Sequence, residues 1–379
     1  MEHKKIADLI SFLVFSAFLI TLALLTVFIP KKDFSDVENR MLQKFPEFSV
    51  KTVFNRSFMN GIDDYLSDHF AGRTGWINIK TATDLALGKG ESGGVFILGD
   101  RLLDDPTPPD YTEIGKSVDA INKYSESIKT PVYVMIAPTS TELYRDELNK
   151  YTPVYDQKAM IDDVYNRLGE KIVTLDVYKS LYLNRDEYIY YRNDHHWTTL
   201  GAYYAYSAAS KKLGFTAISK DKFDIEHAAN NFKGTLYSKA VYDGVEADVL
   251  DIYNYPDGAS VTKYVVNDGR KETEYPGIYF MDYLNKKDKY SVFTGPNQPL
   301  CDIYTNLDNG PSILIFKDSY AHCLVPFLAE HYSRITMVDL RYVNAVSQVV
   351  DADGYDSVLF MYNADSFATD ENIKKVGYK

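Results

Sequence analysis

From Leu9 to Ile29 the chain runs 21 residues without a charge or a proline. At about 1.5 Å per helical residue, that length matches the roughly 30 Å hydrocarbon core of a bilayer. Inside such a core every backbone polar group must find its partner within the segment, so a helix is the structure open to it. Ser11, Ser16, Thr21 and Thr26 can bond back to the helix and do not forbid insertion. Lys4 and Lys5 precede the run and Lys31 and Lys32 follow it, so flanking charge sets almost no orientation. The run is longer than the usual core of a signal peptide, and no Ala-x-Ala site follows. The expectation is an uncleaved anchor. Residues 1–32 form a cytoplasmic stub and a transmembrane helix through residues 9–29. The protein is then single-pass in the cell membrane, with the bulk of the chain extracytoplasmic; a cleaved signal is the alternative.

With 379 residues there is room for one large or two medium domains with a proper core. The formal net charge of −12 argues against a nucleic-acid partner, which calls for clustered Lys and Arg. Tyrosine is used 32 times against 2 tryptophans. Its flat ring and hydroxyl suit a sugar, and equally suit any half-buried surface. Two cysteines, Cys301 and Cys323, do not make a disulfide framework; they either pair or stay free. Neither Cys-x-x-Cys nor His-Glu-x-x-His occurs, so the sequence calls for no metal and no cofactor.

Residues 33–110 read as a tether and a helical segment packing on the domain. Phe54, Phe58, Ile62, Tyr65, Leu66 and Phe70 carry the helical spacing. From Tyr111 the pattern alternates. Helices are expected over Ile114–Ile128, Tyr155–Leu168 and Thr198–Leu213, and strands over Pro131–Ala137 and Ile172–Leu175. Residues 216–310 turn polar, with weak two-residue alternation, and read as an insertion of short strands and loops. The rhythm then returns with strands Ser312–Phe316, Ile335–Asp339 and Ser357–Tyr362, and helices Ser319–Tyr332 and Val343–Val350. This predicts an α/β fold whose mostly parallel sheet is covered on both faces, with 111–215 and 311–379 forming one domain. Ligands of such sheets sit at the carboxyl ends of the strands. Ser319, Arg341 and Asn363 follow three of those strands, and Asp194 and His196 follow the short run 188–191.

Asn193-Asp194-His195-His196-Trp197 sets a carboxylate and two imidazoles side by side. A serine hydroxyl is a poor nucleophile until a base takes its proton, and a carboxylate fixes that base in the right tautomer. Residues two apart on an extended or turning chain point the same way, which pairs Asp194 with His196 and turns His195 aside. Ser319, where a strand turns into a helix, is the candidate nucleophile, and its own N–H faces whatever its hydroxyl attacks. A plain helix cap is the structural reading of the same serine. Asn363 is a candidate side-chain oxyanion donor. Arg341, Tyr342 and Tyr320 are candidates for substrate or oxyanion contact, while His322 reads as structural.

Asp194-His195-His196-Trp197, with Glu38-Asn39-Arg40-Met41-Leu42 upstream and Lys317-Asp318-Ser319-Tyr320 downstream, resembles the DHHW family. That family is related to the periplasmic alginate O-acetyltransferase proteins of SGNH-hydrolase type. The resemblance covers most of residues 33–365, and 216–310 carries no motif that it assigns. It implies an SGNH-hydrolase-like (flavodoxin-like three-layer) fold with a circularly permuted motif order, the Asp/His block preceding the Ser block. It implies Ser319 as nucleophile, His196 as base and Asp194 as its orienter. The function implied is O-acetyl transfer to a cell-surface or exported polysaccharide, with a membrane-bound acyltransferase as acyl donor. The strand ending in Asn363 is similar to the one that carries the SGNH Asn, but Tyr362 stands where Gly is usual. The block-two Gly is missing, with Arg341 near its place, so the chain departs most at the oxyanion hole. A carbohydrate esterase or deacetylase with the same triad, and an inert polysaccharide-binding scaffold, are the other readings.

Overall fold

The computed structural model describes residues 2–377. The chain forms two compact units, Met1–Gly93 with Tyr237–Gly244 and Gly94–Leu236 with Val245–Lys379.

The first unit is helical. Helix α1 (Glu2–Phe28) contains a span, Lys4–Phe28, long and apolar enough to cross a membrane; a signal sequence has the same character. A two-residue ribbon, Phe34–Ser35 with Arg40–Met41, leads to α2 (Val50–Phe54), α3 (Ser57–Asp68) and α4 (Arg73–Ala86). The Glu38-Asn39-Arg40 stretch ties this ribbon to α3. The Arg40 guanidinium forks onto Asp68 at 2.6 and 3.0 Å and reaches Glu38 at 2.7 Å. Bidentate pairing of this kind fixes direction as well as charge, and Arg40 holds the Asp68 carboxyl down at about 2.

The second unit is built on one eight-stranded sheet. Its strands are β1 (Val132–Ala137), β2 (Ile172–Thr174), β3 (Val261–Asn267), β4 (Glu272–Tyr275), β5 (Leu300–Thr305), β6 (Ser312–Lys317), β7 (Arg334–Val338) and β8 (Ser357–Asn363). They lie in the order β4-β3-β5-β7-β6-β8-β1-β2. The pairings from β7 through β6, β8 and β1 to β2 are parallel; β5, β3 and β4 add antiparallel strands. The central strands read as unbroken apolar runs because both faces are covered, and all seven residues of β8 are buried. Leu314, Phe316, Val358 and Phe360 point to one face, where α5 (Tyr111–Ser127), α6 (Gln157–Arg167) and α9 (Ala364–Thr369) pack. Ile313, Ile315, Leu359 and Met361 point to the other, under α7 (Thr199–Leu213) and α8 (Ala321–Leu328). Each such side chain stabilises the fold by about 1.5–3 kcal/mol relative to an exposed position.

Three elements differ from expectation. Residues 216–310 hold short strands, yet 261–305 supply β3, β4 and β5 to the main sheet, and Asp224–Phe232 pairs with Asp248–Asn254 in a separate ribbon. The helix expected over 319–332 is α8, starting later because the Asp318 carboxylate takes the Tyr320 N–H. The helix expected over 343–350 is a single 3-10 turn, Val346–Gln348, since so short a segment cannot repay helix nucleation. Cys301 and Cys323 are buried free thiols, pushed up by burial to about 11 and about 12.

Candidate active site

Strand β6 delivers Asp318 and Ser319 to the carboxyl edge of the sheet. The Asp318 carboxylate grips three donors: the Tyr320 N–H at 2.8 Å, and the Asn363 N–H and side-chain amide at 2.8 and 2.7 Å. The ends of β6 and β8 are thereby clamped together, and the turn holding Ser319 is fixed before α8 begins. Burial raises the Asp318 carboxyl, opposed by those donors.

The second half comes from a tight loop. Tyr190 bridges to Trp197, and the Tyr191 N–H donates to the His196 carbonyl at 3.2 Å, so residues 191–196 fold back on themselves. Gly201 lets α7 start against this loop, because a Cβ there would overlap the Ile189 carbonyl. Two bonds tie the loop to the serine turn. The Trp197 indole donates to the Tyr320 carbonyl at 3.1 Å, and the Tyr320 hydroxyl donates to the His195 carbonyl at 2.5 Å.

Inside this frame the side chains form a relay. His196 Nδ1 lies 2.5 Å from the Asp194 carboxylate, and its Nε2 lies 2.7 Å from Ser319 Oγ. Asp194 and His196 are buried and Ser319 is half-buried, so the serine is the most exposed member of the relay. Burial works against a charged Asp194, but the two imidazoles and the Thr235 N–H more than offset it and hold the carboxyl far below the usual range. The His196 ring stacks flat on Tyr290, centroids 3.7 Å apart and planes 10° off parallel.

His195 does not turn aside as the two-residue rule predicts. The loop is bent rather than extended, so its ring sits 3.9 Å from that of His196, and its Nδ1 meets the Thr235 hydroxyl at 2.6 Å. The same hydroxyl donates to Asp194 at 3.1 Å and the Thr235 N–H at 2.8 Å. Asp194, His195 and His196 bring ligand atoms within 4.8 Å of one another, a spacing that a metal ion accepts, and the same groups make the hydrogen bonds just described.

The four oxyanion and substrate candidates fare differently. Asn363 caps α9 through its amide oxygen, and its amide nitrogen binds Asp318 and the Ser366 hydroxyl, so both side-chain donors are committed. Tyr320 gives its hydroxyl to His195. Arg341 forks onto the buried Asp339 at 2.6 and 2.8 Å, and Tyr342 stands exposed beside it. His322 lies in a buried polar knot, 2.8 Å from Lys317 Nζ, which also reaches Asn297 at 2.6 Å. Burial and the Lys317 charge keep His322 neutral.

Residues outside the motifs complete the site, and three come from 216–310. Thr235 and Tyr290 touch the relay directly. Asp248, fully buried, accepts the N–H groups of Arg192 and Asn193 at 2.7 and 2.8 Å and the Tyr188 hydroxyl at 2.5 Å, holding the loop from below. Burial pushes its carboxyl up to about 6 despite those donors. Gly234 lets Thr235 come this close, because a Cβ there would overlap the Asp194 carboxylate.

Comparisons with known proteins place the family and the fold. A family profile described as DHHW protein matches residues 80–338. A DHHW family protein from Eubacterium siraeum is similar in structure at 25% identity and a TM-score of 0.66, over 75% of this chain and 96% of that one. Bacillus cereus PatB1, solved with a sulfonyl adduct, is similar at 19% identity and a TM-score of 0.64, over 74% and 98%. The O-acetyltransferase domain of Pseudomonas putida AlgJ is a weaker likeness, at 14% identity and a TM-score of 0.44, over 73% and 93%. No curated protein sequence matches. The three-layer arrangement is SGNH-hydrolase-like.

Proposed function

Because the chain belongs to the DHHW family, we propose that it is a membrane-anchored, extracytoplasmic serine O-acyltransferase that places acetyl groups on a polysaccharide. The observation that supports this best is the continuous relay Asp194–His196–Ser319, at 2.5 and 2.7 Å, with the serine its most exposed member. His196 Nε2 takes the Ser319 proton as Oγ attacks the acyl carbonyl. The tetrahedral intermediate collapses, the leaving group departs with the proton from His196, and acetyl-Ser319 remains. A sugar hydroxyl then gives its proton to His196 and attacks that ester, releasing O-acetyl sugar and restoring Ser319. Asp194 stays ionised throughout and stabilises the imidazolium. With the Asn363 and Tyr320 side chains committed elsewhere and Arg341 forked onto Asp339, the Ser319 N–H becomes the candidate oxyanion donor. Helix α1 is the anchor in this reading, with its N-terminus cytoplasmic, and a membrane-bound acyltransferase supplies the acetyl group.

The test is p-nitrophenyl acetate with and without an oligosaccharide acceptor, followed by mass spectrometry. The expected result is an acetyl adduct on Ser319, release accelerated by the sugar, and a loss of roughly a thousandfold or more in Ser319→Ala. Release unaltered in Ser319→Ala, with no adduct, sinks the enzyme reading. Release unaffected by sugar turns it into an esterase.

A further inference from the structure

The helical stretch of the first unit has no part in the chemistry above. Helices α2 and α3 bury no residue at all, and α4 buries only Thr81. Phe58 and Tyr65 of α3 pack edge-on against Phe45, while Leu66, and Phe70 and Trp76 past the helix end, are left exposed. Trp76 is 42% exposed. Helices this short are marginal in water unless a tertiary partner covers the apolar side, and an open apolar surface of this extent marks a binding face.

Helix α1 indicates what covers it. Ala23 and Val27, in its last turns, form one wall of a groove of about 690 Å³; Leu66, Phe70, Trp76 and Ile77 form the apolar part of the other, beside the charged Asp63, Arg73 and Lys80. The contact is built: Thr26, only 7% exposed, accepts the N–H of Ala71, between α3 and α4, at 3.1 Å. Ala23 precedes the helix end by five residues, roughly 8 Å of rise. If the run 9–29 fills the bilayer core, whatever packs on Ala23 and Val27 lies in the last ~8 Å of that core or in the headgroup layer above it. Trp76 then sits where tryptophan is favoured, with Lys80 one turn further and Lys31 and Lys32 just past the span.

We propose that the face of α3 and α4 is embedded in the leaflet at the carboxyl end of α1, and that phospholipid acyl chains fill the groove. The first unit is then an interfacial platform as well as an anchor. The inference rests on α1 spanning a bilayer.

The test uses the full-length chain in phospholipid vesicles, plain or brominated on the acyl chain near the headgroup. Trp76 emission is taken as the difference between wild type and Trp76→Phe, since the other tryptophan, Trp197, is fully buried. The expected result is that brominated lipid removes roughly half of the Trp76 emission, and that Leu66→Glu with Phe70→Glu cuts this quenching about twofold or more. Emission unchanged by brominated lipid overturns the inference. Acrylamide then tells a water-open indole from one covered by protein, including a second copy or another membrane protein. An alkaline carbonate wash separates the two levels. A chain stripped from the vesicles refutes the anchor and with it the inference; a chain retained with unquenched Trp76 refutes the inference alone.

Discussion

The two units use large apolar side chains in opposite ways. In the second, Phe316, Phe360, Trp197 and Tyr320 are shut away on either side of the sheet or under the serine turn. Among the described residues, few large hydrophobics of that unit, such as Tyr151 and Leu183, stand exposed. In the first, Phe45, Phe48, Val50, Phe54, Met59, Leu66 and Leu87 are all exposed, within one short stretch. The difference teaches that the second unit is organised by removing surface from water, leaving polar groups only where the sheet edge needs them. In the first, α2 and α3 bury no residue and α4 only Thr81, and these helices are held by ion pairs such as Arg40–Asp68, edge-on rings such as Phe45–Phe58 and contact with α1.

Three measurements break or sharpen that contrast. The largest effect is expected from Asp194→Asn, which keeps shape but loses the charge that orients His196. Turnover of p-nitrophenyl acetate should fall by roughly a thousandfold to ten-thousandfold while the melting temperature and vesicle attachment hold. Attachment lost together with activity would mean that the units are not separable in this sense. Next is a matched pair of truncations read by chemical denaturation. Phe360→Ala, at a position with no exposed surface, should cost about 3–5 kcal/mol, and Phe54→Ala, 85% exposed, less than about 0.5 kcal/mol. Equal costs would erase the distinction. The smallest concerns Asp248. Its folded carboxyl titrates near 6, above the unfolded value of 3.8. The stability it contributes is therefore present below the unfolded value and lost as pH rises through about 6, by up to roughly 3 kcal/mol. Asp248→Asn should remove that slope from a pH series of denaturation midpoints; an unchanged slope would place the titration elsewhere.

Much of the second unit is legible in the sequence because its signals are local. Apolar runs such as Ser357–Tyr362 announce buried parallel strands, Ser319 is marked by its position after a strand, and Asp194 and His196 by their place after the run 188–191 and their two-residue spacing. The supports are not legible. Thr235, Asp248 and Tyr290 act on the site from 41 to 94 residues away along the chain, through a hydroxyl, a buried carboxylate and a ring face. Each sits in a polar stretch where such residues are ordinary, and nothing nearby sets them apart. The commitment of Asn363 to Asp318 is hidden for the same reason, since a strand-end asparagine looks alike whether its amide is free or taken. The bent loop at 191–196 defeats the alternation rule at His195, because the rule assumes a backbone that the Tyr190–Trp197 bridge does not allow.

Tyr320 has a consequence for how such a chain can change over time. Its hydroxyl holds the His195 carbonyl, its own carbonyl receives Trp197, and its N–H is held by Asp318. The two sequence blocks therefore meet through space, with no covalent continuity needed between them, and nothing in the joint records which came first along the chain. Ancestral breakage and rejoining of the polypeptide elsewhere would leave this joint untouched. By the same logic, grafting the Asp-His-His-Trp segment alone onto a foreign scaffold would transplant half a hinge.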